Sequence, residues 1–166
     1  MHLYICKLLM FGVINGLSNY SISSEKNKVI DGDTLIINDI RYRLYGIDAP
    51  EIKQECNDSS GKDYFCGKKA KTFMHSMIVN KNVKCNKKDK DKYQRIIAIC
   101  FVGNKNLNKL MVRSGWALAY TFFSKDYVND ENYANKNNLG MWNGNFIKPW
   151  EWRRGKRLKT KNIKKN

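Results

Sequence analysis

One short stretch limits what this chain can fold into more than any other. From Val29 to Glu51 it reads VIDGDTLIINDIRYRLYGIDAPE, and Asp31, Asp33, Asp48 and Glu51 sit among apolar strand formers. Acids are scarce elsewhere, with 31 Lys and Arg against 15 Asp and Glu, so this clustering carries information. Val29-Ile30, Leu35-Ile36-Ile37 and the run from Arg41 to Ile47 have the apolar, β-branched content of strands, broken at Asp31-Gly32-Asp33 and at Asn38-Asp39. The second break has hairpin-turn residues. A hairpin there lays two strands side by side and brings Asp33 toward the strand end at Asp48-Ala49-Pro50-Glu51, where Pro50 stops the strand.

Hard divalent cations such as Ca²⁺ select oxygen ligands, and two carboxylates on neighbouring strand ends plus a backbone carbonyl make a half-shell that water completes. Arg43 adds a fixed cation to the same stretch. Carboxylates that hold a metal, beside a guanidinium that binds phosphate in a fork, are the groups phosphodiester cleavage requires. Taken singly, each piece is also an ordinary turn or strand end. Taken together, DGDT, RLYGIDAPE and the later DKYQR (Asp91 to Arg95), in that order and approximate spacing, closely resemble the staphylococcal-nuclease-like (thermonuclease) family. The resemblance runs from about Lys26 to Trp150.

The resemblance implies a role for each matching residue. Asp33 and Asp48 are expected to be the carboxylate ligands of Ca²⁺, with the Ala49 carbonyl as the main-chain ligand. The family's type member has Thr at the position of Ala49, which matters little when the ligand is the backbone oxygen. Glu51 matches the glutamate that orients or deprotonates the attacking water, and its place three residues after Asp48 suits a general base. Arg43 and Arg95 match the pair that holds the phosphate as charge builds on its oxygens. Lys92 and Tyr93 match positions that contact the nucleotide's terminal phosphate. Gln94 stands where the family commonly has Gly, and the base-stacking tyrosines have no secure match among Tyr120, Thr121, Phe122 and Phe123.

A chain of 166 residues is long enough to bury the core of one domain, and its hydrophobic content of 42% excludes a wholly disordered chain. The formal charge of +16 attracts polyanions, with nucleic acid ahead of an anionic membrane surface. Residues 1–23 contain the mostly apolar run Leu3 to Leu17 followed by small polar residues, the pattern of a secretory signal; an uncleaved membrane anchor is the alternative. The expected location is therefore secreted or periplasmic, or else membrane-anchored. Cys6 would leave with the signal, and Cys56, Cys66, Cys85 and Cys100 remain as an even set that allows three connectivities. Cys85 and Cys100 stand symmetrically about a turn near Lys92-Tyr93, which places them opposite each other across a hairpin. Cys56 and Cys66 would close the polar loop after Glu51. Reduced thiols are the competing reading, and no CxxC spacing supports zinc.

Ala70, Phe73, Met74, Met77 and Ile78 share one helical face, Asn106 can cap a short helix ended by Gly115, and Tyr127 to Leu139 is a third, Asn-rich helix ended by Gly140. Strands at Val83 to Asn86 and Ile96 to Val102 complete about five. The expected fold is α+β, mainly β: a five-stranded antiparallel OB-type barrel with about three helices, which the resemblance also implies. Residues 24–151 would form this domain and residues 152–166 a basic, disordered tail that attracts phosphate. The expected function is an exported Ca²⁺-dependent endonuclease, monomeric, that hydrolyses DNA and RNA with little sequence preference and leaves 3′-phosphates. The alternative is a catalytically silent OB module that binds nucleic acid.

Overall fold

The computed structural model describes residues 27–158. The expected signal at 1–23 with Cys6, and residues 159–166 of the expected tail, lie outside the described residues. In chain order the elements are β1 (Asn27–Val29), β2 (Thr34–Ile37), β3 (Ile40–Leu44), β4 (Ile47–Asp48), β5 (Glu55–Asn57), β6 (Asp63–Phe65), α1 (Cys66–Ile78), β7 (Val83–Lys90), β8 (Ile96–Val102), β9 (Lys105–Asn106), α2 (Leu107–Arg113), β10 (Leu118–Ala119), α3 (Val128–Lys136) and α4 (Pro149–Arg153), with a 3₁₀ turn at Gly140–Asn143.

The main sheet has the order β1-β2-β3-β8-β7, and β9 pairs with β8. Strands β1, β2, β3, β7 and β8 overlap the five stretches expected from sequence, and β9 is a sixth strand of this sheet. Asn38 and Asp39 both have positive φ, 48° and 63°, the backbone of a type I′ turn, and they join β2 to β3 with Ile37 opposite Ile40. Cys85 pairs directly with Cys100 across β7 and β8, and a disulfide links them at a Cα separation of 4.0 Å.

Two features differ from expectation. The sheet is not wholly antiparallel, because β3 and β8 run parallel, Tyr42 opposite Ile96 and Leu44 opposite Ala98. Between them the chain crosses through α1 and β7, and such a long connection returns a strand in the same sense. The strand count also exceeds five, since β4 pairs with β10 and β5 with β6 in two small ladders. Among the described residues no ladder joins β1 to β7, so strand pairing does not close the sheet into a barrel. What stands is a mixed α+β fold with four α-helices among the described residues.

The helices cover one sheet face. Leu35, Leu44, Ala98 and Cys100 from the sheet pack with Ala70, Met74 and Ile78 of α1 and Leu107, Met111 and Val112 of α2, all fully buried or nearly so. Each such Leu or Ile stabilises by roughly 1.5–3 kcal/mol relative to exposure. The Asn106 side chain accepts the Lys109 amide and caps α2 as expected, and Gly115 ends the segment at φ 74°. Asn108 is the buried polar tie: it accepts from the Cys100 amide and donates to the carbonyls of Tyr45 and Ala98, clamping α2 to the end of β3. A second cluster of Cys56, Cys66, Leu118 and Met141, with Trp116, Trp142, Phe146 and Trp150 against it, sits beneath the β5–β6 ladder.

Candidate active site

The β2–β3 register sets the acids. Arg43 lies opposite Thr34, next to Asp33 at the strand end, and the Asp33 carbonyl accepts the Leu44 amide at 2.8 Å. Gly32 precedes Asp33 because a β-carbon there would come within 2.7 Å of the Ala49 β-carbon. That close approach lets the Ala49 amide donate to Asp33 Oδ2 at 2.7 Å, joining the DGDT turn to the end of β4. Asp31 shapes the turn, its Oδ1 accepting the Asp33 amide at 3.0 Å.

One guanidinium bridges the two buried acids. Arg43 pairs with Asp33 and, through Nη2, with Asp48 Oδ1 at 2.9 Å. Burial pushes the Arg43 pKa down, with Asp48 and Asp31 opposing the shift and the charge of Arg95 adding to it. Arg95 itself is held at the β7–β8 turn, its Nε 2.7 Å from Asp91 Oδ2. Desolvation works against the Asp91 carboxylate, yet the hydrogen bonds and charge of Arg95 outweigh it and hold Asp91 below the usual range. Lys92 and Tyr93 are exposed at the hairpin tip, where the Arg95 guanidinium carbon lies 5.6 Å from the Tyr93 ring centre. Gln94 has φ 64°, a left-handed conformation that explains why glycine is commoner there.

Glu51 is placed by backbone contacts. Its carbonyl accepts the Gln54 amide, its own amide donates to Gln54 Oε1 at 3.3 Å, and buried Gln54 donates to the Ile147 carbonyl at 2.6 Å. Gly67 at the start of α1 presses on the same loop, and the Cys56–Cys66 disulfide fixes that end of the helix to β5.

The sequence reading missed Arg153, which it had assigned to the basic tail. Arg153 is the last residue of α4, and its fork donates to Asp48 from Nη2 to Oδ2 at 2.7 Å and from Nη1 to Oδ1 at 3.1 Å. Nη1 also donates to Glu51 Oε1 at 2.9 Å. Burial works against this cation, but Asp48 and Glu51 outweigh it and raise its pKa above the ordinary value. The available signal was PWEWR, a Pro-initiated helical turn across the end of the expected domain, with Trp150 and Arg153 three apart on one face.

Trp150, on the same helix as Arg153, packs against Tyr120. The β4–β10 ladder and the Tyr120 amide bond to the Gly46 carbonyl carry Tyr120 alongside the Asp48 strand. The Tyr120 ring lies 5.5 Å from Trp150 and 5.3 Å from Phe123, and Phe122 and Phe123 are 82% and 57% exposed. Lys148 sits 5.5 Å from the Trp150 ring centre. An aromatic shelf with two exposed and two half-buried rings and a cation at its edge is suited to stacking bases.

Asp33 and Asp48 are two buried carboxylates at adjoining strand ends, oxygen donors of the kind a hard divalent ion takes, and guanidiniums occupy them here. Among the described residues no group of three or more His, Cys, Asp and Glu converges as a metal cluster.

The model of the staphylococcal nuclease homologue family matches residues 41–144, a span that takes in Arg43, Asp48, Glu51 and Arg95. An uncharacterized endonuclease of Haemophilus influenzae is 33% identical over 159 residues, covering 91% of this chain and 84% of that protein. An uncharacterized endonuclease of Escherichia coli is 34% identical over 137 residues, 78% of this chain and 83% of the relative. A micrococcal nuclease of Shigella flexneri is 30% identical over 151 residues, with 80% and 81% covered. The chain belongs to the staphylococcal nuclease homologue family.

Proposed function

We propose that this protein is a Ca²⁺-dependent endonuclease that hydrolyses phosphodiester bonds of DNA and RNA with little sequence preference and leaves 3′-phosphates. The observation that carries the reading is the pair of buried carboxylates, Asp33 and Asp48, bridged by Arg43 with Glu51 one turn of loop away. Nuclease names among relatives that align over most of their length support the reaction class.

Ca²⁺ held by Asp33, Asp48 and the Ala49 carbonyl would supply positive charge to the reacting phosphate. The chain's own residues do the rest. Glu51, partly exposed at the mouth, accepts a proton from the attacking water. Arg43 and Arg95 donate to the phosphate oxygens, and their forks stabilise the pentacoordinate arrangement more than the ground state. Tyr120, Phe122, Phe123 and Trp150 stack the flanking bases, while Lys92 and Tyr93 hold a terminal phosphate. The net charge of +16 concentrates substrate without reading sequence.

Export fits the two disulfides, which persist in oxidising compartments. No helix among the described residues is long and apolar enough to cross a membrane. We take the protein to act as an exported monomer.

Gel-shift affinity and single-turnover cleavage on the same variants test the assignment. Arg95→Ala should lower the cleavage rate by about 10²-fold or more with DNA affinity little changed, and Arg95→Lys should rescue poorly because an ammonium lacks the planar fork. Glu51→Gln should bind DNA and cleave slowly. Wild-type cleavage by Glu51→Gln would remove it as the base, and parallel loss of binding and cleavage in Arg95→Ala would defeat its catalytic role.

A further inference from the structure

Arg153 covers groups that the proposed metal must use. Both oxygens of Asp48 face its fork, at 2.7 and 3.1 Å, and Oδ1 also accepts from Arg43. Asp33 is engaged as well, by Arg43, the Thr34 hydroxyl and the Ala49 amide. Three carboxylates, Asp33, Asp48 and Glu51, thus meet two guanidiniums, leaving one net negative charge; without Arg153 the same groups leave two, the balance a divalent cation neutralises. The two arginines are held differently. Arg43 is a sheet residue with a side chain 19% exposed, whereas Arg153 ends a five-residue helix and is 40% exposed, with solvent on one side of it.

We propose that Arg153 is an internal competitor of the divalent cation: it occupies Asp48 and Glu51 in the metal-free protein, and metal binding displaces it. The inference rests on the reading of Asp33 and Asp48 as a metal site and goes beyond it by giving the C-terminal helix a part in metal affinity. A fully buried acid such as Asp48 would otherwise stand with only Arg43 as counter-charge in the metal-free state. The arginine prevents that, and weakens the metal in return. Because the displaced guanidinium stays tethered on α4 beside Trp150, it is released next to the aromatic shelf, where a nucleic-acid phosphate is its natural new partner.

Calorimetric titration with Ca²⁺ alone tests this without any turnover. Arg153→Gln should bind Ca²⁺ about two- to fivefold more tightly than wild type, the upper part of the range that a partly exposed ion pair spans. Arg154→Gln removes the same charge from the exposed neighbour and should change the affinity by less than about twofold. Unchanged or weaker binding by Arg153→Gln, with Ca²⁺ bound normally by wild type, would overturn the competitor role and leave the metal site standing. An equal gain from Arg154→Gln would also overturn it, since a general field would then account for the effect. Absence of Ca²⁺ binding in every variant would overturn the metal site and the inference together. Should Arg153→Gln fail to fold, the wild-type Arg153 Nε–Hε resonance serves: it should move with Ca²⁺ saturation, and a resonance that stays fixed would overturn displacement.

Discussion

Gly67 stands directly against Glu51: a β-carbon on Gly67 would lie 1.8 Å from the Glu51 carbonyl oxygen and 2.4 Å from its carbonyl carbon. The first turn of α1 and the loop carrying the proposed base are therefore in backbone contact, with no side chain between them. Glycine is required by space here, not by backbone angle.

Gly67→Ala should move the Glu51 loop, because the obstructing atoms are main chain and cannot rotate aside. We expect destabilisation of about 1–3 kcal/mol, the usual cost of overpacking, and a cleavage rate lower by roughly 10²-fold, as misplacement of a reacting group by about 1 Å produces. DNA affinity should hold. Thermal unfolding, gel shift and single-turnover cleavage check it; wild-type rate in a folded Gly67→Ala protein would mean the loop position does not matter.

The two disulfides should differ in their effect on rate. Their loops have sequence separations of 10 and 15 residues, and chain-entropy arguments give each about 3 kcal/mol. Replacing either pair with Ser should lower the denaturant midpoint by comparable amounts. Only Cys56→Ser with Cys66→Ser should also slow cleavage in the folded protein, since Cys66 adjoins Gly67 and thus the Glu51 loop. Equal slowing from loss of Cys85–Cys100 would contradict this.

Local chemistry made much of this legible. Asn38-Asp39 tolerates positive φ, so the turn and with it the β2–β3 register followed from two residues. The Cys85–Cys100 pairing followed from hairpin symmetry, even though a register shift between Lys87 and Asp89 bulges β7. Contacts distant in sequence were not legible. The parallel β3–β8 pairing depends on how α1 and β7 cross over, and β4–β10 pairs two-residue strands too short to leave a pattern. Arg153 reaches Asp48 across 105 residues, and in a basic C-terminal run nothing local sets one arginine apart except the Pro-led helical turn. The aromatic shelf needed the same long-range closure of Trp150 on Tyr120.

The Arg95–Asp91 tie should survive moderate acid. Asp91 titrates below its ordinary 3.8, so the folded protein binds its proton less readily than the unfolded chain. Its contribution is fully present above about pH 4 to 5 and is lost as pH falls through the lower folded pKa. The difference in thermal midpoint between wild type and Asp91→Asn should be flat from pH 8 to about pH 5 and shrink below about pH 4. A difference that already shrinks between pH 7 and 5 would show that Asp91 is not depressed.

The most direct measurement is cleavage of plasmid and single-stranded DNA by the purified protein across a Ca²⁺ titration, followed by excess chelator. With two carboxylates as the acidic ligands, half-saturation is expected at about 10⁻⁴ to 10⁻³ M, and Mg²⁺ should support less turnover because it demands tighter octahedral geometry. Cleavage that rises with Ca²⁺ and stops on chelation is the predicted result. Undiminished cleavage in chelator, or DNA binding without cleavage at any Ca²⁺ concentration, would contradict the assignment of Asp33 and Asp48 as the metal-holding acids of a nuclease.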